Sequence, residues 1–387
     1  MEGIRATPFA GLVAKALGEA RFTLIDIGCS SGIHKAWRAF GDRLRAVGFD
    51  PQIEEIGRLS DSETFEDVRY VAEFVGLPAG HKDATLLRRR RFWGREPFTR
   101  TSAAYVLRQR RASHPPTDVA RMASPANAIY LPDFLQAHDI RDVDFVKIDV
   151  DGPDFIILRA MIDMLAQTRV LGVGAEVNFY GTDAPDVNSF HNVDRLLRAH
   201  GFDLFALTTR PYSTAALPAP FQLTIPAQTL FGRVLQGDAI YLRDLAAPEE
   251  SKLANSMGWE KLLKLAALFS LANLPDCAAE VLVTFRSSIE PHLNVETALD
   301  MLVEQTIPPE EPVPTYAEYM QDFETGGPRF WPALQPPPEE APPSPPPESE
   351  ELIATRAALH EVLTSTSWRL TAPLRVLVKT LKRTPAR

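Results

Sequence analysis

The segment FTLIDIGCSSGIHKAWRAFGDRLRAVGFDP, residues 22–51, constrains the fold more than any other stretch of the chain. An apolar run, FTLIDIG, leads into a loop with two glycines, a stretch at helical spacing, and a second apolar run, RAVGFD, that ends in Asp50. Short apolar runs bounded by turn residues and separated by helical segments read as parallel strands joined by crossovers. The alternation continues. A helix is expected near PQIEEIGRL, strands at VRYVAEFVG (68–76) and VDFVKIDVD (143–151), and a helix through PDFIILRAMIDMLA. A strand at VLGVGAEVNF (170–179) and a helix at SFHNVDRLLRAHG (189–201), closing on a glycine, follow. FDLFALTT (202–209) and GDAIYLRD (237–244) have no obvious helix between them and are expected to pair antiparallel at one edge. The pattern predicts an α/β fold with a doubly wound sheet.

Composition excludes several classes of function. A chain of 387 residues with 45% hydrophobic residues can bury a sizeable core. Its net charge of -9 gives no electrostatic footprint for nucleic acid, so none is expected as a partner. Two cysteines, Cys29 and Cys277, cannot build a disulfide framework or a thiolate zinc site. The N-terminus lacks the apolar region of a signal peptide, and no apolar run approaches the roughly 18 residues of a membrane span, so a cytoplasmic location is expected.

The 33 prolines are concentrated late in the chain and mark its organisation. Residues 1–247 are expected as the α/β domain and 248–330, rich in Leu and Ala at helical spacing, as a small helical unit. Residues 331–351 are expected as a disordered Pro/Glu-rich linker, and 352–387 as a basic amphipathic helical tail. Such a tail can lie on an anionic membrane surface or bind a protein, here through residues 365–387. The sequence leaves the oligomeric state open.

The loop after the first strand spells Gly28-Cys29-Ser30-Ser31-Gly32. Its glycines let backbone N–H groups approach a ligand. It is neither the dinucleotide fingerprint nor a P-loop, both of which grip phosphates. Asp26 lies at the end of the first strand, and Asp50 follows at roughly the 20-residue spacing of an acid that accepts hydrogen bonds from ribose. A ligand with a ribose, no phosphates, and an ammonium for Asp26 fits. S-adenosylmethionine has these features. The competing reading is an incidental strand–glycine–helix turn.

A second constellation, DVDFVKIDVDGPDFIILRA (142–160), carries Asp144, Lys147, Asp149 and Asp151. Alternation along a strand puts Lys147, Asp149 and Asp151 on one face, at the strand end where open α/β sheets bind ligands. DFVKIDVDG resembles the D-F-[LV]-K-I-D-V-E-G segment of the FkbM family of S-adenosylmethionine-dependent methyltransferases, with Asp151 where the family usually has Glu. FTLIDIGCSSG, VGFDP, VLGVGAEVNFYG with Glu176, VDRLLRAHGFDLFAL and GDAIYLRD extend the resemblance over roughly residues 20–245.

The resemblance implies a class I methyltransferase sheet of the Rossmann-like kind, with seven strands and the last antiparallel. It also implies O-methylation of a hydroxyl on a sugar, surface glycan or secondary metabolite. A hydroxyl acceptor benefits from a base. Asp149 is the first candidate, Asp151 and Glu176 the next, with Lys147 holding a carboxylate or a substrate oxygen. Asp26, Gly28, Ser30, Ser31, Gly32 and Asp50 are the cofactor candidates, and no metal is expected. The basic run LLRRRRFWGR (86–95) is expected as a substrate-facing lid. The tail resembles the C-termini of bacterial enzymes of surface-polysaccharide assembly. The alternative function is a catalytically inactive, cofactor-binding scaffold of such a system.

Overall fold

The structure, a computed structural model, describes residues 3–78, 128–150, 153–167, 169–179, 185–212, 233–330 and 350–375. Asp151, the basic run 86–95, the linker 331–349 and residues 376–387 lie outside the described residues.

After α1 (Pro8–Ala16) come β1 (Phe22–Ile27), a 3-10 helix (Lys35–Arg43), β2 (Leu44–Phe49), α2 (Ile53–Ser62) and β3 (Val68–Val71). The chain continues through α3 (Leu131–Ala137), β4 (Phe145–Ile148), α4 (Asp154–Gln167), β5 (Gly172–Asn178), α5 (Phe190–Arg198), β6 (Asp203–Tyr212) and β7 (Arg233–Leu242). The seven strands form one sheet in the order β3-β2-β1-β4-β5-β7-β6. β1 to β5 run parallel, and β7 inserts antiparallel between β5 and β6. The α/β class, the seven-stranded Rossmann-like sheet and the antiparallel closing pair are as expected.

The helical stretch expected after the glycine loop is a kinked 3-10 helix, with Gly41 at φ 52. Trp37 and Phe40 sit three residues apart and are both buried; a 3-10 helix places such side chains on one edge. There they stack against Phe22 of β1, with ring centroids 5.5 and 4.1 Å away.

Strand parity sorts the side chains into two cores. Phe22 and Leu24 of β1, Phe145 of β4, and Ile240 and Leu242 of β7 face one side. Ile25, Ile27, Val146, Ile148 and Val173 face the other, under α3 and α4. The first face is covered by α1 and by helices of the segment after Ala247: α6 (Ser251–Ser256), α7 (Trp259–Leu271), α8 (Pro275–Thr284), α9 (Arg286–Ile289) and α10 (Val295–Thr306). Every residue of α7 from Lys261 to Leu271 is buried, as for a helix apolar all round that is packed on several sides. Residues Met1–Tyr319 therefore form one compact unit, and the boundary expected at 247 falls inside it.

Two lysines of that buried helix explain the tight docking. Asp144, fully buried just before β4, accepts from Lys264 Nζ at 3.0 Å, from the Thr23 N–H at 2.7 Å, and from Lys261 Nζ. Lys261 also reaches Asp142 at 2.8 Å. Lys261 and Lys264 lie three residues apart, on one helix face.

The second unit, Met320–Arg387, contains α12 (Glu350–Thr364) and α13 (Thr366–Leu370), which follow α11 (Tyr316–Glu324). Leu352, Ile353, Leu359, Val362 and Leu363 are exposed on α12. Among the described residues, no helix is long and apolar enough to cross a membrane.

Removing one partner of a buried ion pair leaves an uncompensated charge and costs about 3–5 kcal/mol. Asp144→Ala, which strands Lys261 and Lys264, is expected to lower unfolding stability by that order in urea titration. A loss within experimental error would mean that the helices dock by apolar contact alone.

Candidate active site

The charged residues occupy the same sheet face as the first apolar core, one step further along each strand. Asp26 follows Phe22 and Leu24 in parity, Lys147 follows Phe145, and Asp238 precedes Ile240 and Leu242. Asp26 pairs laterally with Lys147, and Glu176 with Asp238. The β4–β5 register, Ile148 beside Ala175, brings Asp149 alongside Glu176. The result is a lateral row of carboxylates across β1, β4, β5 and β7 at the carboxyl end of the parallel strands.

Lys147 ties the row to the glycine loop. Its Nζ donates to Asp26 Oδ1 at 3.0 Å and to the Gly28 carbonyl at 2.9 Å, and lies 3.5 Å from Asp149 Oδ2. Burial pushes the Asp26 carboxyl up against the pull of Lys147. Burial alone would lower Lys147, but Asp26 and Asp149 outweigh it and hold the ammonium above the usual lysine range. The cation beside Asp26 is thus supplied by the chain itself. Lys147 Nζ holds the Asp26 carboxylate.

Gly28 permits this closeness. It adopts φ 88, and a Cβ there would lie 1.7 Å from the Asp149 carbonyl oxygen. The backbone after β1 and the backbone after β4 therefore touch at Gly28, and Asp149 N–H donates to the Ile27 carbonyl at 2.9 Å. Ser30 and Ser31 form the exposed tip of a turn closed by the Gly32 N–H to Cys29 carbonyl bond of 2.7 Å. Tyr70 supports the loop from β3: its hydroxyl accepts from the Ile33 N–H at 3.3 Å and donates to Glu63 at 2.9 Å. Cys29 is buried with Ile56 and Leu59, a packing role.

Asp50 stands at the end of β2, where its Oδ1 accepts from the Gln52 N–H at 2.9 Å. Burial pushes its carboxyl up, and the Gln52 contact opposes the shift.

Glu176 is buried and bonded to an arginine from β6. Arg210 of β6 donates to Glu176 Oε1 at 2.6 Å and to Asp238 Oδ2 at 2.8 Å. Burial, with Asp149 and Asp154 adding to it, raises the Glu176 carboxyl to about 8, and Arg210 opposes the rise. Arg210 was hidden because the expected strand stops at residue 209, before the Pro211 that reads as its end, whereas β6 runs on to Tyr212. Asp238 was legible from the alternation in GDAIYLRD, which gives it the parity of the core residues Ile240 and Leu242.

The structure thus brings Asp26, Gly28, Lys147 and Asp149 into direct contact, with Glu176 alongside, while Asp50 lies one strand away on β2. Among the described residues, no group of three or more His, Cys, Asp or Glu side chains is placed to hold a metal ion.

Residues 99–204 match the methyltransferase FkbM domain. The matched span carries Lys147, Asp149 and Glu176. It places S-adenosylmethionine-dependent methyl transfer as the class of chemistry the chain resembles. No curated protein matches the chain. Among solved structures, the chain is similar to precorrin-6y C5,15-methyltransferase from Geobacter metallireducens, at 12% identity, over 60% of this chain and 87% of that one, with a TM-score of 0.29. It is also similar to magnesium protoporphyrin IX methyltransferase from Synechocystis with bound SAM, at 10% identity, over 61% and 77%, with a TM-score of 0.28. Both likenesses are distant, and no function rests on them.

The raised Glu176 carboxyl has a consequence for stability. A group that binds its proton more tightly when folded contributes stability below its unfolded pKa, and that contribution is lost as pH rises through the folded pKa. The melting temperature is therefore expected to fall between pH 5 and about 8 by more in the native chain than in Glu176→Gln. Identical slopes would show that Glu176 is already ionised across that range.

Proposed function

We propose that the chain is an S-adenosylmethionine-dependent O-methyltransferase acting on a hydroxyl of a sugar, surface glycan or secondary metabolite. The carrying observation is the position of the FkbM-like segment. Its Lys147 and Asp149 meet Gly28 where the strand order turns from β1 back to β4. Open α/β sheets bind ligands in the crevice outside the strand ends at such a switch point.

In this reading the Gly28–Gly32 loop receives the cofactor, with Ser30 and Ser31 at its exposed tip. Asp50 accepts hydrogen bonds from the ribose. Asp26 acts through Lys147, whose ammonium fixes the loop by its bond to the Gly28 carbonyl. The row of carboxylates outnumbers its cations and so favours a sulfonium. Bound cofactor supplies the methyl group. The protein aligns the acceptor oxygen with it and excludes water, which is where most of the rate enhancement of a displacement arises.

A hydroxyl loses its proton as the new O–C bond forms, and a positioned carboxylate that takes it contributes typically 10²–10⁴-fold. Asp149, part-exposed beside Lys147, is the first candidate. Asp149→Asn is expected to lower methyl transfer by about that factor while binding S-adenosylmethionine as the native chain does in calorimetric titration. Near-native turnover would remove Asp149 from the role. Mass spectrometry of glycans and metabolites with and without the chain, searched for a difference of one methyl group, identifies the acceptor.

A further inference from the structure

The FkbM-like match ends at residue 204, before β6 crosses the carboxylate row. Arg210 lies beyond it. Its guanidinium spans two carboxylates from neighbouring strands, Glu176 of β5 and Asp238 of β7, with contacts of 2.6 and 2.8 Å. All three side chains are largely withdrawn from solvent, with relative exposures of 17% for Arg210, 7% for Glu176 and 3% for Asp238. A fork-shaped cation bridging two acids fixes the geometry of both more strictly than an ammonium would.

Glu176 lies beside Asp149 by strand register, on the side of the row away from the glycine loop. We propose that Arg210, anchored by Asp238, is a positioning residue for methyl transfer: it holds the Glu176 carboxylate beside Asp149 and sets how readily the pair takes up the acceptor proton. The inference rests on the methyltransferase reading and adds to it a residue outside the matched domain. As the methyl carbon bonds to the acceptor oxygen, its bond to sulfur breaks. The electron pair stays on sulfur as a neutral thioether, and the hydroxyl proton passes to Asp149, whose charge Glu176 feels directly.

The charged groups facing Glu176 are Asp149 at the end of β4, Asp154 at the start of α4, Arg210 of β6 and Asp238 of β7. Three are acids that resist a further negative charge, and Arg210 is the single cation among these four. Without it, Glu176 would stay protonated to higher pH, and a protonated Glu176 repels the Asp149 anion less. Arg210 therefore controls whether the pair is poised to accept a proton near neutrality.

The test uses the full-length chain with 13C-carboxyl-labelled glutamate, the Glu176 resonance being the one absent from Glu176→Gln. Its titration midpoint is expected at about 8 in the native chain. An opposite charge at contact distance shifts a carboxyl by about one unit or more, so Arg210→Met should raise the midpoint by that amount, with Arg210→Lys between the two. The rising limb of kcat/KM against pH, which follows the base Asp149, should move toward lower pH, because a Glu176 that stays neutral repels the Asp149 anion less. It is followed as S-adenosylhomocysteine release with tritiated S-adenosylmethionine and a glycan extract from cells lacking the chain. Cofactor affinity by calorimetry should not change, because Arg210 lies on the far side of β5 from the glycine loop. A merely structural role would lower the melting temperature and leave both midpoints in place, and that result overturns the proposal. Should Arg210→Met fail to fold, the double variant Arg210→Met/Asp238→Asn removes the bridge without stranding its second acid and is read in the same way. A native chain that binds no S-adenosylmethionine would instead sink the methyltransferase reading, whereas transfer with unmoved midpoints would sink only the role of Arg210.

Discussion

A single ammonium organises the upper end of the sheet. Lys147 is buried between two carboxylates and a backbone carbonyl, from β1, from the loop after β1 and from the loop after β4. Each of those groups would be costly to leave unpaired in a dry interior. Together they hold the two loops that flank the switch point in contact, close enough that only a glycine fits at position 28. A preorganised crevice is what a displacement reaction asks of its enzyme.

The same sheet face is divided along its length. Its lower part is apolar and covered by α7 and its neighbours, and its upper part bears the carboxylate row. The division follows from the strands themselves: in Phe145-Val146-Lys147-Ile148 one face reads aromatic and then charged, while the other stays aliphatic. The bottom edge is closed by a second buried charge cluster, Asp144 with Lys261 and Lys264. Charges thus bracket the apolar layer at both ends. The helices after Ala247 belong to the sheet's own core through a shared apolar cluster, and their buried lysines pair with Asp144 at its edge.

Much of this was legible in the sequence because strands and helices leave distinct apolar patterns. The strand positions follow from apolar runs between helical segments, the antiparallel closing pair from the absence of a helix between the last two runs, and the face-sharing of Lys147 and Asp149 from alternation. The exchange of partners did not. Alternation brings Asp26 to the strand end but not to a neighbour 121 residues away, so the cation that meets it was assigned to the ligand. The register between β1 and β4, a property of tertiary pairing, decides that Lys147 meets it first. The same holds for Arg210, whose partners lie on two other strands. The type of the helix at Lys35–Arg43 was open in the sequence: Trp37 and Phe40 at a spacing of three fit both helix types, and both stack on Phe22 in the 3-10 form. The merging of the late helices with the sheet depended on two lysines that look like surface residues until Asp144 is placed beneath them.

The central claim is that the Lys147 contact builds a cradle for S-adenosylmethionine. Calorimetric titration of S-adenosylmethionine into the native chain and into Lys147→Met tests it most directly, with circular dichroism confirming that both are folded. Binding at one site per native chain and its loss in a folded Lys147→Met are expected. Equal binding by the two would contradict it.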